Sequence, residues 1–184
     1  MIPPMSAGIT PFRHYAKAIK QAISIPVISV GRYGNPEDAK SAIETGDADF
    51  IALGRPLLAD PDWVRKASGK EHPRPCLACN TCVDGMRDGK KLYCLVNPVT
   101  GREIDFSQRN LAMQGGRIAV IGAGPSGLSF AALMAQENQV TIFEKQRDTG
   151  GSFLLAGYAP KFQTVASSPD TFQYYIQQMT KICI

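Results

Sequence analysis

Four of the five cysteines lie within nineteen residues, in the pattern C-x2-C-x2-C-x11-C: Cys76, Cys79, Cys82 and Cys94. Thiolates held this close repel one another unless a cation or a metal cluster takes up their charge. A compact triplet with a lone fourth cysteine is typical of [4Fe–4S] ligation, whereas structural zinc usually takes two separated C-x2-C pairs. The spacing favours an iron–sulfur cluster, with zinc and metal-free or disulfide-bonded cysteines as alternatives. Cys183, next to the end of the chain, is expected to be an ordinary thiol.

Two Gly-Arg pairs, Gly31-Arg32 and Gly54-Arg55, each follow a short apolar run. Glycine lets a backbone N–H approach a phosphate, and arginine offers a planar bidentate donor. Ligands of parallel α/β folds bind beyond the carboxyl ends of strands, and the loops after the last two strands of an eight-stranded barrel commonly hold a phosphate. The two pairs therefore predict a phosphate site. The alternative is that each arginine pairs with an acid on the surface.

The segment GAGPSG, which begins at Gly122, has the G-x-G-x-x-G spacing, and Glu144 ends the next apolar run, seventeen residues after Gly127. In this pattern Gly122 allows a tight turn, Gly124 lets a pyrophosphate approach, and Gly127 lets a helix pack on the strand. The acid accepts from ribose hydroxyls and disfavours a 2′-phosphate. The pattern predicts an FAD or NAD site, with a ligand-free loop of the same shape as the alternative.

The elements that position these motifs follow from hydrophobic periodicity and capping residues. Two apolar strands alternate with helices in the first third of the chain, and we expect both to be parallel and buried. The predicted elements there are a helix over 11–23, a strand over 25–30, a helix over 35–44, a strand over 49–53 and a helix after Asp60-Pro61. The strands predicted near the dinucleotide motif are 117–121 and 140–143, with a helix over 128–136 between them. The cysteine segment is expected to have little regular structure and to need an inorganic centre to pack.

The composition fits a globular α/β chain: 184 residues, 44% hydrophobic, 20% charged, with a formal net charge of +4. The charges are spread along the chain, so we expect neither a nucleic-acid partner nor a membrane surface. The first residues lack the pattern of a signal peptide, and the most apolar stretch, 118–135, is interrupted by glycines. The expected location is the cytoplasm.

In their order along the chain, these motifs resemble the multi-domain NADH:flavin oxidoreductases related to old yellow enzyme. Within that family the sequence is similar to the branch of 2,4-dienoyl-CoA reductase, enoate reductase and trimethylamine dehydrogenase. The segments that carry the resemblance are IPVISVGRYGNPEDA (25–39), DFIALGRPLLADP (49–61), CLACNTC…CLVNP (76–98), IAVIGAGPSGL…EK (118–145) and the paired glycines 150–151.

The resemblance implies three cofactor sites. The FMN phosphate would be held at the last two strands of a TIM barrel by Gly31, Arg32, Gly54 and Arg55. A [4Fe–4S] cluster would be ligated by Cys76, Cys79, Cys82 and Cys94. FAD, or ADP in the amine-dehydrogenase branch, would be bound by Gly122, Gly124, Gly127 and Glu144. In the reductases of this family, electrons pass from NAD(P)H through FAD, the cluster and FMN to an activated C=C of a small substrate.

The resemblance also implies a division of the chain. Residues 1–66 would end the FMN barrel, 67–115 would form the cluster segment, and 116–184 would begin a Rossmann-like domain. A TIM barrel takes about 250 residues, so the sequence looks like an internal fragment that lacks the substrate-binding strands. We expect this chain alone to be inactive, and its oligomeric state stays open.

The remaining candidates are weaker. His14 and His72 are expected on the surface, Trp63 in packing, and Tyr174-Tyr175 on one amphipathic helix. Three other functions stay open: an amine dehydrogenase of the trimethylamine dehydrogenase type, which the resemblance also allows, a non-catalytic electron-transfer module that docks on a partner, and a zinc-stabilised nucleotide-binding protein without redox chemistry.

Overall fold

The computed structural model describes residues 2–3, 7–69, 71–107 and 114–157. For residues 155–157 it describes the backbone but not the side chains. Its residue contacts divide the chain into two compact units, one up to Gly101 and one from Arg102 onward. The cysteine segment up to Gly101 therefore groups with the first unit. The predicted division of the whole protein at residues 66 and 115 stays a prediction, and Tyr174, Tyr175 and Cys183 lie outside the described residues.

The first unit is a β-α-β-α arrangement preceded by a helix, as predicted. Its two strands pair in parallel, with Ile28 opposite Phe50 and Val30 opposite Ala52. The elements are α1 (Arg13–Ala22), β1 (Ile28–Val30), α2 (Pro36–Glu44), β2 (Phe50–Ala52), α3 (Arg55–Ala59), α4 (Trp63–Ala67) and α5 (Thr81–Arg87). The sequence did not predict α3 or α5.

The start and end of helix α2 were predicted correctly because both are set by local capping residues. The Asn35 side chain accepts a hydrogen bond from the backbone N–H of Glu37 at 3.1 Å, and Pro36 occupies the first helical position. The missing N–H of proline costs nothing there, because that donor has no partner inside the helix. The helix ends before Gly46, whose φ of 71° is in the left-handed region.

The core of the first unit lies on the helix side of the strand pair. It consists of Tyr33, Ala39, Ala42 and Trp63. Two polar contacts fix its aromatic rings: the Tyr33 hydroxyl lies 2.8 Å from Ser29 Oγ, and Trp63 Nε1 donates to the Gly34 carbonyl at 3.2 Å. The structure therefore confirms that Trp63 serves in packing.

The prediction that both strands are buried is wrong for one of their two faces. Side chains alternate across a strand, and only the helix-side residue Ser29 is fully buried in β1. On the opposite face Ile28 is 62% exposed and Phe50 is 58% exposed. These large apolar side chains form an open face that nothing in the described residues covers.

Most of the large apolar side chains of the predicted first helix are also exposed. In α1 only Ala16 is buried, whereas Tyr15, Ile19 and Ile23, which directly follows the helix, all lie at the surface. The helix is held instead by ion pairs: Arg13 contacts Asp47 at 2.7 Å, and Lys20 contacts Asp49 at 2.6 Å. The hydrophobic spacing thus predicted the helix correctly but not what it packs against.

The cysteine segment has more regular structure than the sequence predicted. Helix α5 lies inside it, and Leu77, Val83 and Val96 are buried. Gly85 in the middle of α5 weakens its helical propensity, but a Cβ there would lie 3.2 Å from the Tyr93 ring. The close packing of Tyr93 therefore explains why position 85 is a glycine. This glycine is also the reason why the sequence did not predict a helix there.

The second unit contains the other parallel strand pair. Its elements are α6 (Glu103–Ser107), β3 (Arg117–Ile121), α7 (Pro125–Met134), β4 (Gln139–Phe143) and α8 (Ser152–Gly157). All five residues of β3 pair with those of β4, and α7 packs on the strands through Leu128, Ala131 and Met134. The helix begins three residues earlier than predicted because Pro125 occupies its first turn. No helix among the described residues has the length and apolar character needed to cross a membrane.

Candidate cofactor sites

The two Gly-Arg pairs line one cavity of about 260 Å³ at the carboxyl ends of β1 and β2. Because the strands are parallel, their carboxyl ends meet at the same edge of the sheet, which brings the two pairs together. The structure thus places all four residues of the predicted phosphate site around one opening: Gly31, Arg32, Gly54 and Arg55. Their role in holding FMN stays a prediction.

The backbone at the first pair has an uncommon conformation. Gly31 has a φ of 126°, and a Cβ on it would lie 2.7 Å from the Phe12 ring. Arg32 has a φ of 59°, in the left-handed region that non-glycine residues seldom adopt. Backbone of this kind is concentrated at binding sites, where the surrounding structure holds it in place.

Both arginines bring positive charge to this cavity. Arg32 is buried and donates to the carbonyl of Ala7, and Arg55 donates to the side-chain oxygen of Asn80. These named partners are neutral groups, so neither bond offsets the positive charge. Burial lowers the pKa of Arg32, and the nearby charge of Arg55 lowers it further. Two cations at one opening favour an anionic ligand such as a phosphate.

The four cysteines line a second, smaller cavity together with Arg55 and Asn80. All four are unbridged thiols of intermediate exposure. Among the described residues, no three thiol, imidazole or carboxylate side chains are arranged to hold a single metal ion. The structure therefore brings the predicted ligands to one place without showing a metal centre.

The thiols of this cavity influence one another. Burial raises the pKa of Cys76 to about 11; among smaller effects, nearby Cys94 and Cys79 raise it and Arg55 lowers it. Burial also raises the pKa of Cys82. Metal binding by these side chains requires the thiolate form and so releases protons.

Two left-handed residues bend the chain between the cysteines. Ala78 has a φ of 54° and Asn80 a φ of 63°, and α5 begins directly after Asn80. Sequence reasoning missed Asn80 as a site residue. Its one signal is residue type, because asparagine tolerates the left-handed conformation better than most residues.

The dinucleotide motif has the geometry that its spacing predicts. Gly122 turns with a φ of 97°, and a Cβ on Gly127 would lie only 2.0 Å from the Gly122 carbonyl oxygen. In the part of the chain that the structure describes, a Cβ on Gly124 would meet nothing within 4 Å, so this glycine leaves open space at the start of α7. The turn therefore has the shape that would let a pyrophosphate approach the backbone N–H groups closely.

Glu144 and the paired glycines pack against this turn. Glu144 accepts from the backbone N–H groups of Ala123 at 2.7 Å and Gln146 at 2.9 Å. These bonds, the one from Gln146 foremost, lower its pKa and keep it ionised. The Gly150 N–H donates to the Ala123 carbonyl at 2.8 Å, and a Cβ on Gly151 would lie 3.2 Å from Gly124. Binding of a ribose by Glu144 stays a prediction.

The two histidines, His14 and His72, are exposed and lie outside the residues that line these cavities. Their predicted place on the surface is confirmed. Parallel β-α units, a cavity lined by two arginines at the strand ends and a glycine-rich turn before a helix are the features of an α/β protein of the nucleotide-binding type.

Two stretches of the chain match models of known protein families. Residues 4–72 match the NADH:flavin oxidoreductase / NADH oxidase family, and residues 120–172 match an NAD(P)-binding Rossmann-like domain. Over residues 4–72 the chain is therefore similar to the NADH:flavin oxidoreductase / NADH oxidase family, a family of oxidoreductases, as the motifs predicted.

Two curated relatives illustrate the similarity. A metal reductase from Desulforamulus reducens is 41% identical over 165 residues, which are 86% of this chain and 25% of the relative. An NADH oxidase from Thermoanaerobacter brockii is 40% identical over 152 residues, which are 80% of this chain and 23% of the relative. The chain therefore spans about a quarter of the length of these proteins.

A solved structure extends the similarity to the fold. The 6-hydroxypseudooxynicotine amine oxidase from Pseudomonas geniculata N1 is 25% identical, with a TM-score of 0.82. The match covers 95% of this chain and 27% of that protein. The predicted α/β class with parallel strand pairs is confirmed.

Proposed function

We propose that this chain is part of an iron–sulfur flavoenzyme that uses NAD(P)H to reduce an activated C=C of a small dienoyl-CoA or enoate-like substrate. When bound, FAD, a [4Fe–4S] cluster and FMN would supply the hydride and single-electron chemistry between donor and substrate. We call the cavity at the two Gly-Arg pairs the basic cavity, and the cavity lined by the four cysteines the cysteine cavity. The observation that carries the proposal is that Arg55 and Cys76 line both of them. A phosphate-binding residue and a cluster ligand would thus be immediate neighbours.

The basic cavity fits the phosphate end of FMN. Its two guanidinium groups supply bidentate donors, and a Cβ on Gly54 would meet nothing within 4 Å. This open space lets a phosphate reach the backbone at the strand end. Arg32 and Arg55 would neutralise the phosphate, and the left-handed backbone at Gly31-Arg32 would fix the loop around it.

The cysteine cavity fits an iron–sulfur cluster by the type and number of its donors. Four thiols line it, in the compact triplet-plus-one spacing of a cubane ligand set. Leu58, Leu77 and Val96 supply an apolar lining. Cys76, Cys79, Cys82 and Cys94 would hold the cluster, and the charge of Arg55, which lowers the pKa of Cys76 and of Cys82, would favour the thiolate form of these two.

The second unit fits the adenosine part of FAD or ADP. The open space at Gly124 admits a pyrophosphate to the start of α7, and the ionised Glu144 has lone pairs left for ribose hydroxyls. A carboxylate at this place disfavours a 2′-phosphate. The site on this unit would thus bind a nucleotide that lacks one.

The exposed apolar faces support the proposal that the first unit belongs to a larger barrel. In a TIM barrel one side of each strand faces the helices and the other faces the barrel interior. Ile28, Val30 and Phe50 would fill that interior, and Tyr15 and Ile19 of α1 would pack against a neighbouring helix. The first unit would then supply the last two βα units of the barrel.

An amine dehydrogenase is the second candidate, because the structural neighbour reported above is an amine oxidase. In favour of the reductase, a relative that is 33% identical is the cinnamate reductase from Clostridium sporogenes. The two functions differ in which small molecule reduces the flavin. A non-catalytic electron-transfer module would hold the same cofactors without turning over either substrate.

Anaerobic stopped-flow absorbance on the complete protein that contains this chain tests the proposal. The reductase reading predicts that NADH or NADPH bleaches the flavin, that a cinnamate-like enoate restores its colour, and that dimethylamine causes no bleaching. Bleaching by the amine alone would establish the dehydrogenase. Bleaching by NAD(P)H with no reoxidation by any enoate would favour the electron-transfer module.

A further inference from the structure

Arg55 occupies the wall between the two cavities of the first unit. It follows β2 and begins α3, and it lines both the basic cavity and the cysteine cavity. An arginine side chain is long and can adopt many rotamers, so its guanidinium could turn toward either cavity. What holds this side chain in place therefore affects how well it can meet a phosphate.

A residue of the cysteine segment holds it. Arg55 Nη1 donates to the side-chain oxygen of Asn80, which lies between Cys79 and Thr81. The other end of the same amide is also engaged, because Asn80 Nδ2 donates to the Pro3 carbonyl at 3.2 Å. With both ends bonded, the amide has a fixed orientation, and its oxygen faces Arg55.

The chemical type of Asn80 matters as much as its position. An amide oxygen is neutral, so it orients the guanidinium without neutralising it. Among the described residues the amide occupies one of the five guanidinium N–H donors, so the others can still meet a further acceptor. A carboxylate in the same place would form an ion pair and compete with a phosphate for Arg55.

The backbone at Asn80 restricts which residues can do this. Its φ of 63° is left-handed, a conformation that glycine, asparagine and aspartate adopt most readily. Of these three, asparagine alone combines that tolerance with a neutral acceptor.

We propose that Asn80 is a positioning residue for flavin-phosphate binding: it fixes the Arg55 guanidinium at the basic cavity, so the cysteine segment contributes to FMN recognition. The inference rests on the proposed function, because it takes Arg55 as a phosphate ligand. It implies that FMN affinity depends on Asn80 only through Arg55 and only through the phosphate.

The test compares FMN with riboflavin, which lacks the phosphate. Each flavin is titrated with the purified protein, and binding is measured from the quenching of flavin fluorescence. Asn80→Gly keeps the left-handed backbone and removes the acceptor, and it should weaken FMN binding about tenfold while leaving riboflavin binding unchanged. Asn80→Asp keeps the size of the side chain and adds a competing charge, so it should also weaken FMN binding but not riboflavin binding.

Two controls separate positioning from a general effect on the loop. Thr81→Val removes a hydroxyl that bonds Cys79 Sγ in the same loop, keeps the bond between Asn80 and Arg55, and should leave FMN affinity unchanged. In an Arg55→Ala background, Asn80→Gly should cause no further loss, because the residue through which Asn80 acts is gone. Far-UV circular dichroism of each variant checks that it folds.

The outcomes are distinct. An equal loss of FMN and riboflavin binding, additive losses in the Arg55→Ala background, or unchanged FMN affinity in both Asn80 variants would overturn the inference while leaving the proposed function standing. If the unaltered protein binds neither flavin, the proposed function fails as well.

Discussion

The carboxylate of Glu144 accepts a hydrogen bond from the backbone N–H of Ala123 at 2.7 Å, joining the end of β4 to the glycine-rich turn after β3. One acidic side chain therefore both shapes the turn and places a negative charge beside the space where a ribose would lie. This arrangement explains why the acid and the glycines occur together in the sequence.

The first prediction concerns that charge. Glu144→Gln keeps the size of the side chain but removes the charge that repels a 2′-phosphate. We expect the unaltered protein to bind ADP at least about tenfold more tightly than 2′-phospho-ADP, and the variant to lose most of this preference. Isothermal titration with both nucleotides measures the ratio. A preference that is the same in both proteins would contradict the assigned role of Glu144.

The second prediction separates two glycines of the same motif. A Cβ on Gly127 would lie 2.0 Å from the Gly122 carbonyl oxygen, so Gly127→Ala should destabilise the second unit by about 3 kcal/mol or more. A Cβ on Gly124 would meet no other atom of the described residues within 4 Å, and its φ of −76° suits alanine.

Gly124→Ala should therefore change stability by no more than about 0.5 kcal/mol, yet weaken ADP binding by about tenfold or more, because the new methyl group fills the space for the pyrophosphate. Denaturant titration and nucleotide titration on both variants give the comparison. Full ADP affinity in Gly124→Ala would show that the space beside Gly124 is not the nucleotide site.

The third prediction is a pH dependence of stability. Hydrogen bonds from Arg13 and Lys17 lower the pKa of Asp47 from 3.8 to about 2. Because the pKa is lower in the folded state than in the unfolded state, this carboxylate stabilises the fold at pH values above about 4. The stabilisation is lost as the pH falls toward 2.

Asp47→Asn should accordingly lower the Tm at pH 7, and its Tm should converge with that of the unaltered protein as the pH falls from about 4 to 2. The matched control is Glu44→Gln, which removes a carboxylate from an exposed ion pair with Lys40 and should have little effect. A Tm difference for Asp47→Asn that stays constant down to pH 2 would refute the assignment.

The sequence predicted which residues come together better than it predicted what surrounds them. Parallel strands end on one edge of a sheet, so two apolar runs that each end in Gly-Arg were enough to predict that Arg32 and Arg55 converge. Strong local signals, such as Asn35-Pro36 at the start of α2, likewise placed helix boundaries correctly.

Other features depend on contacts that a single sequence does not reveal. Asn80 meets Arg55 across 25 residues, and no periodic pattern encodes such a pair. Helix α5 was missed because Gly85 has low helical propensity and its packing against Tyr93 is a tertiary effect. The sequence did not predict the exposure of Ile28 and Phe50. Apolar side chains indicate that a strand face packs against something, but they do not show whether the packing partner lies within this chain.

The proposed electron path depends most on the nature of the cysteine centre. Its most direct test is the content of iron, zinc and acid-labile sulfide per chain after anaerobic purification. We predict about four irons and four sulfides, a marked loss in Cys82→Ser, and no loss in Cys183→Ser. Zinc without sulfide would contradict the account, since it would remove the electron relay between nucleotide and flavin and leave the family resemblance as ancestry alone.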